Sequence, residues 1–203
     1  MWTGLAKTLL LASASARRVD LLIQPNISCQ QIIVPGQGED EPRHANEDVV
    51  QYVQRTSDEK NIRKQMFIKG SKPDPAELPI LSADTTVAIG QEIFGKPFDV
   101  ADARRILTAF SASTHDVYST VTQHWHNKTT RALSHSQVTF DPYLIDGLEH
   151  NVATGEPFGK AGAYAIQGQA STCIRHMTGS YSGSIGLPVF ETCRLLRASG
   201  VLQ

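Results

Sequence analysis

The residue pattern predicts an α/β protein. Short apolar runs suited to buried strands alternate with helically spaced stretches, and the second half carries a long pair of segments with two-residue alternation. At 203 residues, 40% hydrophobic and 19% charged, the chain can bury a core as one large domain or a tightly packed pair of lobes, and residues 1–203 are read as a single domain.

Thr8 to Ala12 (TLLLA) reads as the first strand. It breaks into Ser13-Ala14-Ser15-Ala16-Arg17-Arg18, and from Ser15 the positions of Ala16, Val19, Leu21 and Leu22 give a helix with a serine cap. Arginines in a first helical turn have the wrong sign unless an anion binds there. Serine hydroxyls, helix amides and guanidinium forks on one spot make a phosphate cradle; the alternative is that Arg17 and Arg18 are exposed and pair with nearby acids. Ile27 to Pro35 is a second strand ending in Ile32-Ile33-Val34. The loop from Gly36 to Asn46 carries Glu39, Asp40 and Glu41, which are either solvated acids or oxygen ligands for a hard divalent cation. Glu47 to Ile68 reads as a long helix interrupted by the polar run Thr56 to Glu59, with Lys60 facing solvent or a cleft. Lys69 to Glu77 is a Pro-rich, charged connector.

Leu78 to Pro97 organises the rest. Pro79 to Ala83 is a short buried strand that delivers Asp84 at its end. Val87-Ala88-Ile89 forms a second apolar run, Gly90-Gln91 a hairpin turn and Gly95-Lys96-Pro97 a stop. A carboxylate at a strand end with a lysine one hairpin away sets a base beside an anion site; as ordinary turn chemistry, Asp84 caps a turn and Lys96 is solvated. Asp99 to Phe110 is a helix capped by Asp99, with Ala103, Ile106, Leu107 and Phe110 inward. Thr114 to Trp125 and Thr130 to Phe140 form an antiparallel hairpin about His126-Asn127-Lys128. His124 and His126 share one strand face, but no carboxylate or cysteine at fitting spacing completes a metal site. A helix spans Tyr143 to Val152. In the glycine-dense run Gly155 to Ala170, the backbone can approach a ligand that Lys160, Tyr164 and Gln167 would read, or the run is a plain connector. Ser171 to Met177 is a strand, Gly179 to Ser184 a polar loop, and the final helix buries Val189, Phe190, Cys193, Leu195 and Leu196.

A formal net charge of −1 provides no global field for nucleic acid or an acidic membrane, so neither is an expected partner and any anion site is a local cluster. Cys29, Cys173 and Cys193, an odd count without pattern, support neither a disulfide framework nor a zinc site and read as reduced thiols. No apolar run approaches the roughly 20 residues of a membrane span, and Met1 to Ala6 lacks the features of a secretory signal. The expected location is cytoplasmic.

Taken in order, LLLASASARR, SADTTVAI followed by FGKP, STHDVYS with the long hairpin, VATGEPFGKAGAYAIQG and GSYSGSIGLPVFET resemble the Maf family of nucleotide pyrophosphatases, from about Leu9 to Leu196. The resemblance implies an α/β fold with a long mixed, strongly twisted sheet flanked by helices. It further implies two lobes with a central cleft, an architecture like that of inosine-triphosphate pyrophosphatases. The implied reaction is metal-dependent hydrolysis of a nucleoside triphosphate to its monophosphate and pyrophosphate, with Asp84 as general base. Arg17, Thr85 and Gln167 match selectivity positions, Arg18 a phosphate-contacting position, Ser13 lies in the same segment as the arginines, and Lys60 and Lys96 resemble phosphate-neutralising lysines. The implied cofactor is Mg2+ or Mn2+, with Glu39 as ligand by its distance from Val34-Pro35 and Glu41 as the alternative. Ala16 replaces the family's proline, and Gly159 stands where many members have an acid.

The set Arg17, Thr85 and Gln167 resembles the branch acting on dTTP and UTP, whereas the 7-methyl-GTP branch carries a glutamate at the position of Gln167. An uncharged amide offers both a donor and an acceptor to the O4 and N3–H edge of uracil or thymine. Two other functions compete: a 7-methyl-GTP pyrophosphatase, and a non-catalytic regulator of cell division that binds nucleotide or nucleic acid. A homodimer is an expectation from the resemblance alone.

Overall fold

The structure, a computed structural model, describes residues 8–33, 42–68, 78–143 and 145–203. In chain order its elements are β1 (Leu9–Leu11), α1 (Ala16–Ile23), β2 (Cys29–Gln31), α2 (Val49–Ile68), β3 (Ile80–Ile89), β4 (Glu92–Phe94), α3 (Val100–Phe110), β5 (Thr114–Trp125), β6 (Lys128–Phe140), α4 (Ile145–Ala153), β7 (Ile174–Thr178), α5 (Tyr181–Ile185) and α6 (Val189–Ala198). The strands form one mixed, open, seven-stranded sheet in the order β2-β1-β3-β5-β6-β7, with β4 paired to β3. β1 runs parallel to β2 and β3, and the other pairings are antiparallel. Helices flank the sheet, as the alternating pattern predicts.

β3 is the spine. The sequence pattern ends a strand before Asp84 and restarts an apolar run at Val87, but the structure runs one strand through both, so Asp84 is mid-strand. Thr85 and Thr86 are β-branched, and nine successive pairings with β5, from Ile80–His124 to Ala88–Asp116, keep the backbone extended. The opposite edge of β3 is divided: β1 pairs at Ile80 and Leu81, and β4 pairs from Val87 to Ile89. Residues 82–86 therefore have a strand neighbour on one edge only, and the sheet forks there.

Two hydrophobic clusters lie on either side of the fork. One gathers Leu9, Leu11, Leu21, Leu22, Leu81, Ala83, Val121 and Leu196, and the other gathers Val87, Phe94, Ile106, Phe110, Val117, Phe140 and Tyr164. β3 and β5 contribute to both. Asp99 caps α3 by accepting from the Asp102 amide, and α3 buries Ala103, Ile106, Leu107 and Phe110 as its periodicity predicts. His126 and Asn127 both have positive φ, the two-residue turn that matches strand twist, so β6 starts at Lys128 and His126 is outside the strand rather than beside His124.

α2 is one helix of 20 residues, not an interrupted one. Asp48 accepts from the Gln51 amide and Gln51 returns the bond to the Asp48 amide, a reciprocal cap. The polar run expected to break it is its inner face: Thr56, Ser57, Asn61 and Lys64 are buried. They meet an equally polar strand face. Asn61 donates to Ser82 Oγ at 3.1 Å, Ser57 and Thr122 hydroxyls are 3.0 Å apart, and Lys64 donates to the Ile32 carbonyl. β2 is shorter than its apolar pattern because β1, its partner, is three residues long; Ile32 N–H closes the ladder on the Leu11 carbonyl. The segment expected as a polar loop after β7 contains α5, capped by Ser180, and Phe190 on α6 is exposed while Thr192 takes the inward position. Among the described residues, no helix is long and apolar enough to cross a membrane.

Two consequences for stability follow from buried contacts. Gly162, at φ +73°, packs where a Cβ would stand 3.0 Å from Val87 Cγ2, and its amide donates to Gly95 O at 3.1 Å. Gly162→Ala should lower unfolding free energy by about 1–3 kcal/mol through positive φ and overpacking, read from urea denaturation. His115 is fully buried, stacks on Phe110 at 4.2 Å and meets the Tyr164 hydroxyl at 2.8 Å. Burial pushes its pKa down from 6.5 to about 4, against a smaller opposing pull from Asp116. The unfolded chain binds this proton from about pH 6.5 and the native state only near pH 4. Stability is then complete above the first value and falls as pH drops through the window, by on the order of 3 kcal/mol. Urea midpoints between pH 7 and 4.5 should fall steeply in the native protein and less in His115→Phe; equal slopes would refute the assignment.

Candidate active site

The fork in the sheet opens a cavity of about 560 Å³, large enough for a small-molecule ligand. Because it opens at the edge of β3, side chains from both strand faces reach it: Asp84 and Thr86 from the face toward α2, Thr85 from the other. Ser13, Arg17, Arg18, Lys60, Asp84, Thr85, Lys96 and Gln167, eight residues from five separate segments, all line it.

One wall is the turn from β1 into α1. Ser15 occupies the cap position but makes no side-chain capping bond, and no acid lies in the first turn. Ser13 Oγ instead accepts from the Ser15 amide at 3.2 Å and from Arg18 Nη1 at 2.9 Å. Arg18 Nε donates to the Gly186 carbonyl at 2.7 Å, so α5 and α1 fix this guanidinium together. Burial lowers the Arg18 pKa, Asp84 opposes this and Arg17 adds to it. Burial also lowers that of Arg17, which has no partner among the described residues. A helix start bearing two arginines and no acid is an anion-receiving arrangement.

The facing wall is α2. Lys60 Nζ donates to Asp84 Oδ1, and Thr56 Oγ1 donates to Asp84 Oδ2 at 2.5 Å. Burial raises the Asp84 pKa, but Lys60, Thr56 and Arg18 together outweigh it and hold the carboxyl below its ordinary value, so it is ionised at neutral pH. Thr120, opposite Asp84 on β5, buries a hydroxyl without a partner among the described residues. Thr85 Oγ1 lies 2.7 Å from Ser119 Oγ.

The third wall is the glycine-dense loop. The Glu156 carboxylate accepts from the Gln169 amide at 2.7 Å, and a Cβ on Gly168 would fall 2.3 Å from it, so a larger residue there would push the Glu156 side chain aside. With Gly162 seated on Val87, these contacts anchor the loop on both sides of Gln167, which is itself exposed. Lys160 lines the cavity and donates to the Glu156 carbonyl; burial and Arg17 lower its pKa, against Glu156.

Thr56 joins the candidate residues through the structure, which also places Lys160 in the cavity. Lys160 was legible as a polar group in a glycine-rich loop; Thr56 carried no signal, because a threonine inside a helix has no motif. Five cations, Arg17, Arg18, Lys60, Lys96 and Lys160, line the cavity with Asp84, the one carboxylate lining it among the described residues, and Lys60 and Arg18 act on its charge. Lys60 and Thr56 engage both Asp84 oxygens, and no cluster of three potential metal ligands exists among the described residues. Glu39 and Glu41 lie outside the described residues.

Comparison with known proteins places this geometry. The sequence profile of the Maf-like protein family matches residues 8–199. A protein of Bordetella pertussis named dTTP/UTP pyrophosphatase is 42% identical over 195 residues, covering 95% of this chain and 93% of its own. Proteins of the same name from Cupriavidus metallidurans and Xanthomonas euvesicatoria are each 43% identical, covering 95% of this chain and 97% and 98% of their own. The chain belongs to the Maf family.

Proposed function

We propose that this protein hydrolyses nucleoside triphosphates, with dTTP and UTP preferred, to the monophosphate and pyrophosphate. The observation that carries the proposal is that five cations and one ionised carboxylate line a single cavity. Relatives named dTTP/UTP pyrophosphatase support the substrate class at 42–43% identity over nearly the whole chain. An anion binder alone gains nothing from a carboxylate among its phosphate-binding cations; a hydrolase needs a proton acceptor there.

In this reading the triphosphate enters against Arg17, Arg18, Lys96 and Lys160, whose mutual repulsion its charge relieves. Lys60 turns from Asp84 to a phosphate oxygen, which frees Oδ1. Asp84 takes a proton from water as the water oxygen bonds to the α-phosphorus. The bond from that phosphorus to the α,β-bridging oxygen breaks, and pyrophosphate leaves with the electron pair, its charge met by the cations. Gln167, held by the anchored loop, presents its amide to the pyrimidine edge beside Thr85. Mg2+ or Mn2+ is the proposed cofactor and would lower the charge of the phosphates; no step above is routed through it. The proposed location is cytoplasmic, where the three cysteines, all free, stay reduced.

Pyrophosphate release from dTTP, UTP, CTP, dATP, GTP and 7-methyl-GTP, with Mg2+ or Mn2+, tests the reading. Turnover should be fastest for dTTP and UTP, should stop with a chelator, and should fall at least 100-fold in Asp84→Asn, which keeps the side-chain size and removes the base. Equal turnover by that variant, or none by the native protein, would refute hydrolysis through Asp84. Gln167→Ala should reduce the preference for UTP over CTP roughly 5–100-fold by removing a hydrogen-bonding partner, measured as a ratio of kcat/KM values. An unchanged ratio would remove Gln167 from base selection.

A further inference from the structure

We propose that Thr56 is a positioning residue that orients the Asp84 carboxylate and tunes it as a base through a single shared proton. The inference rests on Asp84 serving as the proton acceptor in hydrolysis. Thr56 is 1% exposed on the inner face of α2, and its hydroxyl has two acceptors within reach: the Val53 carbonyl at 3.2 Å and Asp84 Oδ2 at 2.5 Å. A hydroxyl has one proton, so it can donate to only one of them at a time. The ordinary choice for a threonine within a helix is the backbone carbonyl one turn earlier. Here the shorter contact goes to the carboxylate.

The two donors to Asp84 differ in what substrate does to them. Lys60 holds Oδ1 but is a cation that entering phosphates compete for. Thr56 is uncharged, buried and below the strand, so its bond to Oδ2 persists when Lys60 turns away. It then fixes the carboxylate plane and leaves Oδ1 facing the cavity. A donor to an ionised carboxylate stabilises the charged form. Thr56 therefore keeps Asp84 deprotonated further into acid. When Asp84 accepts the proton from water, Oδ2 becomes a poorer acceptor and the Thr56 proton can swing to Val53 O, so the hydroxyl keeps a partner while the bond to Oδ2 is given up. The charged groups that line the cavity with the carboxylate are Lys60 on α2, Arg17 and Arg18 on α1, Lys96 after β4 and Lys160 in the loop. Lys60 and Arg18 favour its ionised form, so loss of the Thr56 donor alone is resolved as a shift, not as neutralisation.

Thr56→Val keeps the branched shape and removes the hydroxyl; Thr56→Ser restores it, and Thr56→Ala repeats the comparison if valine does not pack. Asp84 is titrated by carboxyl-carbon NMR in the full-length protein without nucleotide or metal, and kcat/KM for dTTP with Mg2+ is followed from pH 3 to 9, so that the acid limb set by a carboxyl below its ordinary value is read. In Thr56→Val the Asp84 titration and the acid limb of the rate profile should both move to higher pH, with a loss of rate that grows toward acid, and Thr56→Ser should return both toward the native curves. An Asp84 titration unchanged in both Thr56→Val and Thr56→Ala would overturn the proposal. A titration that moves while the rate profile stays fixed would overturn the role of Asp84 as base, and with it the catalytic half of the inference, while leaving the hydrogen bond standing.

Discussion

One edge of β3 cannot be paired twice, and most of the structure depends on that constraint. β1 takes the first residues of the strand and β4 the last, and the interval between them is left open on one side. An unpaired strand edge inside a protein must be met by something polar, because its backbone groups require partners. In this chain the interval faces the turn into α1, with its serines and arginines, and the ligand cavity. The second edge, paired without interruption to β5, supplies the rigidity that the open one lacks. A strand stiff on one side and accessible on the other holds the Asp84 carboxylate in place and still leaves it lining the cavity.

The electrostatics of the cavity follow from the same layout. Asp84 points toward α2, where a helix face of threonine, serine, asparagine and lysine replaces the apolar stripe usual at such a contact. Hydrogen bonds between α2 and the strands are directional, so this interface fixes the distance between Lys60, Thr56 and the carboxylate more tightly than an apolar one would. The cost is desolvation of polar groups, and the pairings Asn61–Ser82, Ser57–Thr122 and Asp58–Thr122 offset it. Away from the cavity, Arg55 holds Glu47 at a pKa of about 2, mainly through its hydrogen bond, and so ties the start of α2 to its second turn.

The cations of the cavity come from four separate segments, and burial disfavours the charged forms of Arg18 and Lys160, with Arg17 adding to the effect on both. A cluster of that kind is stable only while the surrounding packing holds it or an anion fills it. Here two cores, one on each side of the fork, do the holding. Membership of the Maf family and the identity to relatives named dTTP/UTP pyrophosphatase agree with a cavity whose charge suits a polyanion and whose loop presents an amide.

Local pattern determined most of the strands and helices, the capped helix ending at Phe110 and the long hairpin about His126 and Asn127, and together with the resemblance to the Maf family it singled out Ser13, Arg17, Arg18, Lys60, Asp84, Thr85, Lys96 and Gln167. These were legible because periodicity, turn chemistry and ordered motifs are written over a few neighbouring residues. Tertiary structure decided what depends on a partner distant in sequence. Asp84 lies within a strand rather than at its end because β5 pairs across it. The polar run in α2 is an inner face rather than a break because the strand beneath it is polar too, and Thr56 became relevant only when that contact brought it to the carboxylate. A hydrogen bond between residues 56 and 84 leaves no period or motif in either segment, so only folding could reveal it.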